Sequence, residues 1–236
     1  TLRRRKDNKA MHASDQSTIY AATASGGVWK SADAGENWQP ITDQLPSLSI
    51  GDIAIDPSDK NTLYCGTGET NGGGGSITYD GAGLFKSSDG GANWTSLGLG
   101  STGSIGRIEV DPRNPKRIFV AAMGRLFANN PERGLYRSDD GGLNWSNKLF
   151  INDSTGVIDL AINPAQPDTL FAVSWERVRR LSTRKYGGPG CGIYRSTNGG
   201  DNWTKLSGGL PTSGLGRIGI TIAPSSPNIL YATIAN

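Results

Sequence analysis

The chain contains few of the residues that build metal sites and disulfide frameworks. Its 236 residues include two cysteines and one histidine. A structural zinc site usually takes about four cysteine or histidine ligands at close spacing, so we expect no metal, and nothing in the sequence indicates a cofactor. A disulfide needs Cα atoms within about 7 Å. Cys65 and Cys191 lie in non-adjacent repeats, which predicts two free thiols, with a bridge through a long loop as the alternative.

Long apolar runs and phosphate-binding motifs are also absent from the sequence. No stretch approaches the roughly 20 apolar residues of a membrane span, and no secretory apolar segment lies near residue 1. The glycine run Gly72–Gly75 is not followed by the Lys-Ser/Thr of a phosphate loop. The basic segment Leu2–Lys6, in a chain of net charge +3, is interpreted as a solvated tail, because no nucleic-acid-binding motif accompanies it.

One octapeptide of the form Ser-x-Asp-x-Gly-x-x-Trp recurs along the chain. The copies are SADAGENW (Ser31–Trp38), SSDGGANW (Ser87–Trp94), SDDGGLNW (Ser138–Trp145) and STNGGDNW (Ser196–Trp203). Successive tryptophans are 51 to 58 residues apart. A fixed period of about 50 residues is typical of a propeller or a solenoid.

The chemistry of the octapeptide predicts a tight turn. The aspartate can accept backbone N–H bonds, the glycine permits positive φ, and the tryptophan offers a large apolar face to the gap between repeats. An aspartate that recurs in every repeat favours a structural role over catalysis. The residues assigned to this structural role are Ser31, Asp33, Gly35, Trp38, Ser87, Asp89, Gly91, Trp94, Ser138, Asp140, Gly142, Trp145, Ser196, Asn198, Gly200 and Trp203.

Each repeat also contains four short apolar runs, which predict four strands. Two precede the octapeptide as a hairpin with an Asp-Pro-like turn, as in IAIDP at Ile53–Pro57. We therefore predict an all-β fold, a β-propeller of four-stranded antiparallel blades, with about four and a half repeats. The repeats run over residues 10–45, 50–99, 104–150, 156–208 and, in part, 215–236. The stop in mid-repeat favours a longer propeller; closure by the N-terminal segment is the alternative.

The loops between the second and third strands differ in length and chemistry. They are Ala22–Gly27, Glu69–Ala82, Met123–Arg133 and Trp175–Cys191. Variable loops on a repeated scaffold are where binding residues concentrate. We therefore predict a ligand face at these loops, on the side opposite the octapeptide turns.

Arginine and aromatic residues cluster in the fourth of these loops and suit anionic groups, carboxylates or sugar rings. The ligand-binding candidates are Trp175, Arg177, Arg179, Arg180, Arg184, Tyr186 and, in the second loop, Tyr79. Packing of Trp175 over a neighbouring blade is the alternative. Arg107 and Arg217, each in Gly-Arg-Ile, and Asp52 in the same column form a second set near the channel mouth. That set could grip a ligand or close on itself through salt bridges.

The octapeptide resembles the Asp-box, or BNR repeat, of sialidases, xyloglucan-degrading hydrolases and sortilin-like receptors. The segments GTGETN, RGLYRSDDGG, WERVRR and GGPGCGIYRSTNGG resemble secreted bacterial BNR-repeat proteins with a sortilin-like propeller, and this likeness covers the whole chain. The resemblance implies an extracellular or cell-surface binding module for a protein or glycan, completed by further blades.

The same resemblance raises two enzymatic alternatives. Xyloglucan-specific hydrolases use two aspartates, one in an Arg-Thr-Asp-Val-Gly-Gly segment, and the matching stretch here places Ala24 at the aspartate. Glu69, Asp80 and Glu132 could supply carboxylates, but nothing marks a pair. Sialidases carry Arg-Ile-Pro, which is absent here.

The sequence thus favours a non-catalytic binding module, so that an enzyme is not the first expectation. The alternatives are a glycoside hydrolase with catalytic residues partly outside this segment, and a structural component of an extracellular assembly.

Overall fold

The computed structural model describes residues 8–70 and 79–235, whose strands group into consecutive small sheets. Leu2–Lys6 and Gly72–Gly75 lie outside the described residues. The first sheet contains β1 (Asn8–His12), β2 (Asp15–Ala22), β3 (Val28–Ser31) and β4 (Gln39–Pro40). The second contains β5 (Ile50–Asp56), β6 (Asp59–Thr67), β7 (Leu84–Ser87) and β8 (Thr95–Ser96). The third contains β9 (Ile105–Asp111), β10 (Asn114–Ala122), β11 (Gly134–Ser138) and β12 (Ser146–Leu149).

The fourth sheet carries an insertion, and the fifth has two strands among the described residues. The fourth contains β13 (Thr155–Ile162), β14 (Leu170–Glu176), β17 (Gly192–Ser196) and β18 (Thr204–Lys205). Between β14 and β17 a separate hairpin forms from β15 (Val178–Arg179) and β16 (Arg184–Lys185). The fifth pairs β19 (Ile218–Ala223) with β20 (Ser226–Ile234).

Each four-stranded sheet is an antiparallel meander in chain order, which is the build of a propeller blade. The predicted all-β propeller of four-stranded blades is therefore confirmed. Regular helix within the described ranges is limited to a short 3-10 turn at Gly100–Thr102. No helix among them is long and apolar enough to cross a membrane.

The hydrophobic core is divided into clusters that lie between neighbouring blades. Tyr20 and Val28 of the first blade pack with Ile53 and Phe85 of the second, and Phe119 of the third blade packs with Leu160 of the fourth. Because each blade buries its faces against its neighbours, stability depends on the blade-to-blade interfaces. Cys65 and Cys191 lie fully buried in two different clusters, and both are free thiols, as predicted.

The octapeptide forms the turn between the third and fourth strands through the same hydrogen bonds in every blade. In the second blade the Ser87 hydroxyl donates to Asp89 Oδ1 at 2.7 Å, and the Asn93 backbone N–H donates to the same oxygen at 2.9 Å. Gly91 N–H donates to Ser87 Oγ at 2.9 Å. Gly91 has φ +95°, and a Cβ there would lie 2.5 Å from Ile41 of the preceding blade. The positive φ therefore favours glycine here, and a Cβ would in addition displace the end of the Ile41 side chain.

Three of the octapeptide tryptophans, Trp94, Trp145 and Trp203, pack at interfaces between blades. Trp94 Nε1 donates to Ile41 O at 2.8 Å and Trp145 Nε1 donates to Leu97 O at 2.9 Å, so each indole reaches the blade before its own. Trp38 and Trp203 instead donate to a glycine carbonyl in their own turn. The tryptophan N–H groups therefore have two kinds of partner, whereas the serine hydroxyl donates to the third residue of the octapeptide in all four turns.

The innermost strands of neighbouring blades approach one another closely at glycine. A Cβ on Gly51 would lie 1.8 Å from the Ile105 carbonyl oxygen, and one on Gly106 would lie 2.5 Å from that of Ile158. Only glycine permits this backbone contact. The side chain that follows each glycine is thereby held against the next blade.

Candidate functional site

The fourth loop begins on the buried end of β14. Trp175 is 6% exposed and packs with Ile218 and Ile220 of the fifth sheet. Its Nε1 donates to Tyr186 O at 2.8 Å, which fastens the return of the β15–β16 hairpin to the strand. Trp175 therefore anchors the loop from below and has no open face for a ligand.

Arg177 joins the fourth loop to the second. Its guanidinium lies 4.5 Å from the centroid of the Trp175 ring, and Nη1 donates to Thr70 O at 2.8 Å, across 107 residues of sequence. The side chain is 2% exposed. Burial, followed by the nearby charge of Arg179, lowers the pKa of Arg177 to about 10. A buried cation in this position holds two loops of different blades together.

A second buried arginine shapes the third loop. Arg133 is fully buried and donates to Met123 O at 2.7 Å, Arg125 O at 2.6 Å and Ala128 O at 3.2 Å. Burial lowers its pKa to about 10. Because its donors bond to backbone carbonyls around the loop, the loop wraps around the guanidinium and takes a fixed shape.

The second, third and fourth loops meet in one surface, here called the loop layer (residues 69–70, 79–82, 123–133 and 175–191). The Arg179 N–H donates to Leu126 O at 2.9 Å, and Arg180 Nη2 donates to Asn129 Oδ1 at 3.0 Å. Arg125 lies 3.8 Å from a carboxylate oxygen of Asp80 in the second loop. Beneath these contacts, a cavity of about 10 Å³, lined in part by Arg133 and Arg177, has room for about one water molecule.

The outer surface of the loop layer exposes aromatic rings and cations side by side. Phe127 is 57% exposed, Tyr79 54% and Tyr186 39%. The guanidinium of Arg179 lies 5.9 Å from the Phe127 ring centroid. Hydrogen bonding from Arg179, with lesser contributions from the charges of Arg179 and Arg184, lowers the pKa of Tyr186. Such a surface can place flat apolar faces and charge-assisted hydrogen bonds along one ligand.

The carboxylates of the loop layer are engaged in holding it together. Glu176 is 4% exposed and accepts from Lys185 and, at 3.0 Å, from Gly190 N. Its burial raises the pKa, but the contacts with Lys185 and Gly190 outweigh that effect and lower it. Glu132 accepts from Asn130 Nδ2 at 3.1 Å. In the first blade, Ala24 lies in a tight turn closed by a bond from Thr23 N to Gly27 O.

The predicted column at the channel mouth closes on the scaffold. Asp52 Oδ2 accepts from Ile108 N in the next blade at 2.7 Å, and Asp159 Oδ2 accepts from Ile220 N at 2.9 Å. Arg107 lies between them in sequence. Its side chain is the donor and not the acceptor, because Nε donates to Leu160 O at 3.3 Å. Each of these side chains therefore bonds to the backbone of the following blade.

The charges of this column also pair with one another. Arg107 Nε lies 3.2 Å from Asp159 and 3.4 Å from Glu109. Burial lowers the pKa of Arg107, but the carboxylates of Asp159, Asp52 and Glu109 reverse this and raise it. Both of these salt-bridge partners lie outside the predicted set of Asp52, Arg107 and Arg217, so the choice between its two alternatives stays a prediction.

Two features of the column differ from the sequence-based prediction. Arg217 lies before β19 and so outside the column. Its place is taken by Gly219, which pairs with Thr233 of the second strand in the same way that Asp52 pairs with Gly66 in the second blade. Asp159, which was not predicted, is the third member. The sequence does contain a signal for membership of the column. Asp52, Arg107 and Asp159 each lie five residues before the proline that follows their strand.

The fourth-loop candidates divide by exposure. Arg180, Arg184 and Tyr186 are exposed, Arg179 is half-buried beneath them, and Trp175 and Arg177 are buried. The prediction is therefore revised for Trp175 and Arg177, whose burial gives them a positioning role. Arg133 was missed because its partners are backbone carbonyls within the third loop. Phe127 was missed because its contact with Arg179 joins two different loops and follows no repeat.

The chain is similar in sequence to proteins named as xyloglucanases. No protein-family model matches the chain. The chain is 31% identical to a xyloglucanase from Paenibacillus sp. over 94% of its own length, and it spans 22% of that protein. It is 24% identical to a probable oligoxyloglucan-reducing end-specific xyloglucanase from Neosartorya fischeri, over 84% of the chain and 23% of that protein.

Solved structures match the fold of the chain. The crystal structure of an ancestral GH74 enzyme superposes with a TM-score of 0.65 at 20% identity, covering 93% of this chain and 27% of that one. The GH74 xyloglucanase from Xanthomonas campestris gives a TM-score of 0.61 at 19% identity, covering 89% of this chain and 31% of that one. At these identities the matches support the propeller fold alone.

These comparisons correct the first functional prediction. A non-catalytic binding module was predicted, and that prediction is wrong, because the relatives matched over most of the chain bear the names of xyloglucanases, which are glycoside hydrolases. The resemblance to an Asp-box propeller is supported in its fold. The narrower resemblance to sortilin-like proteins stays a prediction.

Proposed function

We propose that the chain forms part of the propeller of a glycoside hydrolase that acts on xyloglucan, and that its loop layer holds the polysaccharide. The observation that carries the proposal is the alignment with the Paenibacillus xyloglucanase over 94% of the chain at 31% identity. That coverage takes in all but a small part of the blades and of the loops between their second and third strands. The chain spans 22% of that relative, so the proposal concerns one arc of a larger enzyme.

The carboxylates of this arc indicate which steps of catalysis its residues take part in. Glycoside hydrolysis usually needs one carboxyl group as acid and a second as base or nucleophile. Ala24 stands where the resemblance places one aspartate, while Asp80 and Glu132 are bonded to Arg125 and Asn130. We therefore assign binding and orientation of the chain of sugars to the loop layer, and at least part of the acid–base pair to the rest of the polypeptide.

The loop layer suits this positioning task because it is rigid where it is buried and aromatic where it is exposed. Arg133 and Arg177 fix the loops from beneath, so the Phe127 and Tyr186 rings are presented in a fixed arrangement. Prior ordering of the site reduces the entropy lost on binding. A wall polysaccharide is met outside the cell, which supports an extracellular or cell-surface location.

The proposal is tested by assaying the native polypeptide that contains this chain. Incubation with xyloglucan should release new reducing ends. Tyr186→Ala should raise KM several-fold with a smaller change in kcat, because it removes contact remote from the reacting bond. Leu143→Ala, an 80% exposed side chain in the turn of the third octapeptide, is the matched control and should behave as the wild type.

Two results would contradict the proposal. Release of no reducing ends from xyloglucan would exclude the activity. Equal kinetics of Tyr186→Ala and the control would exclude the loop layer as the polysaccharide surface.

A further inference from the structure

Basic residues are concentrated in the fourth loop. Residues 175–191 contain five basic residues and one acidic residue, and the whole loop layer contains seven basic and four acidic residues. On the octapeptide side, by contrast, the acidic residues are partly offset by cations of the strands, since Arg137 pairs with Asp139 and Asp201. A local excess of positive charge favours an anionic ligand.

Arg180 of the loop layer is oriented by a neutral partner, Asn129, which does not cancel its positive charge. The side chain is exposed, and it donates to the neutral amide of Asn129 at 3.0 Å. Arg179 and Arg184 stand directly opposite each other in the β15–β16 hairpin. Directly opposed residues of an antiparallel pair point to the same face, so the two cations lie together.

Aromatic rings flank these cations. Phe127 lies on one side of Arg179, with 5.9 Å between the guanidinium carbon and the ring centroid. Tyr186 follows β16 and is 39% exposed, and the cations of the hairpin lower its pKa through hydrogen bonds from Arg179 and Arg184. Rings and guanidinium groups thus alternate across the surface, so that sugar faces and carboxylates of one polymer could be contacted in turn.

We infer that the loop layer recognises a polysaccharide that carries carboxylates, with Arg180 and Arg184 binding the acidic groups and Phe127 and Tyr186 lying against the sugar rings. A planar guanidinium matches a carboxylate with two parallel hydrogen bonds, which a neutral hydroxyl does not reproduce. The inference rests on the proposed function only in taking a polysaccharide as ligand. It departs from it in preferring a uronic-acid polymer to a neutral glucan.

The test is affinity electrophoresis of the native polypeptide in gels that contain polygalacturonate, neutral xyloglucan or polyglutamate. Polygalacturonate should retard the protein most, and its effect should fall as NaCl rises through 0.15 M, because exposed charges are screened over about 8 Å at that salt. The variant Arg180→Gln/Arg184→Gln should weaken binding to polygalacturonate about tenfold, from two contacts of up to about 1 kcal/mol each. Lys116→Gln/Arg195→Gln removes two exposed cations outside the loop layer and should bind as the wild type.

Three outcomes separate the inference from the proposed function. Retardation by xyloglucan that equals or exceeds that by polygalacturonate would overturn the inference, and continued xyloglucan cleavage would leave the proposed function standing. Equal retardation by polyglutamate would show that charge alone is recognised and would overturn the assignment to a sugar polymer. Polygalacturonate binding without cleavage of xyloglucan would support the inference and refute the proposed activity.

Discussion

Removal of the Asp52 carboxylate should destabilise the interface between the second and third blades. An innermost strand has a partner on one side only, so alternate N–H groups point away from the sheet. Asp52 Oδ2 accepts one of these, from Ile108, at 2.7 Å in a site where both residues are at most 2% exposed. In Asp52→Ala the Ile108 N–H loses its acceptor without gaining water.

The expected cost follows from that orphaned donor. A buried unsatisfied N–H costs about 1–3 kcal/mol. A loss of about 2 kcal/mol lowers Tm by about 4–8 °C in a cooperative unit of roughly 150–250 residues, and by less in a larger one. Asp52→Asn keeps an acceptor oxygen and should fall between the wild type and Asp52→Ala. Asp43→Ala, an exposed aspartate in the same arc, is the control for removal of a carboxylate.

The assay is thermal unfolding of the native polypeptide, followed by circular dichroism, at pH 7. The reasoning would be refuted if Asp52→Ala and Asp43→Ala melted within about 1 °C of each other. It would also be refuted if Asp52→Asn were as destabilised as Asp52→Ala. The retained side-chain oxygen would then contribute no stability as an acceptor for the Ile108 N–H.

Two further predictions concern acid stability and the loop layer. Hydrogen bonds from the Asn144 side chain and backbone and from Ser138 lower the pKa of Asp140 from 3.8 to about 2. A depressed carboxylate pKa contributes stability above the unfolded value, and this is lost as pH falls from about 4 to 2. Asp140→Asn, which reproduces the residue found at Asn198 in the fourth octapeptide, should lessen that loss in urea titrations, and an unchanged pH slope would contradict it. Arg177→Met keeps the stack on Trp175 but loses the bond to Thr70, so amide exchange in the peptides covering 69–70 and 177–186 should quicken about tenfold or more. Arg113→Met, at the surface, should leave those peptides unchanged, and equal exchange in both variants would refute the role of Arg177.

The blades could be predicted from the sequence because their signals are local and recur. Strand alternation, Asp-Pro turns and the octapeptide each act within a few residues, and repetition in successive units separates them from chance. The Asp89 and Asp140 turns show the same bonds to serine and to the following asparagine. The residues that the two octapeptides share therefore produce the same local structure, although their second and sixth positions differ.

The loop layer could not be predicted in the same way because its contacts are distant in sequence and occur once. The Arg177 guanidinium finds a backbone carbonyl 107 residues away. A backbone acceptor has no sequence signature, so nothing distinguished Arg177 from the exposed Arg180 in the same loop. Arg217 was misplaced for a related reason: the Gly-Arg-Ile motif looked equivalent to that at Arg107, but the distance to the strand-ending proline differs.

Recurrence also explains which residues can carry specificity. Asp52, Arg107 and Asp159 all bond to the next blade, so a substitution at any of them disturbs an interface that the fold requires. The cations of the β15–β16 hairpin belong to no repeated contact, and the blades beneath them are complete without them. Their charge can therefore change with the ligand while the buried clamps Arg133 and Arg177 keep the surface in place. A scaffold with relatives named for a neutral polysaccharide could in this way come to hold an acidic one, by substitutions at exposed positions of a hairpin that forms a sheet separate from the blades.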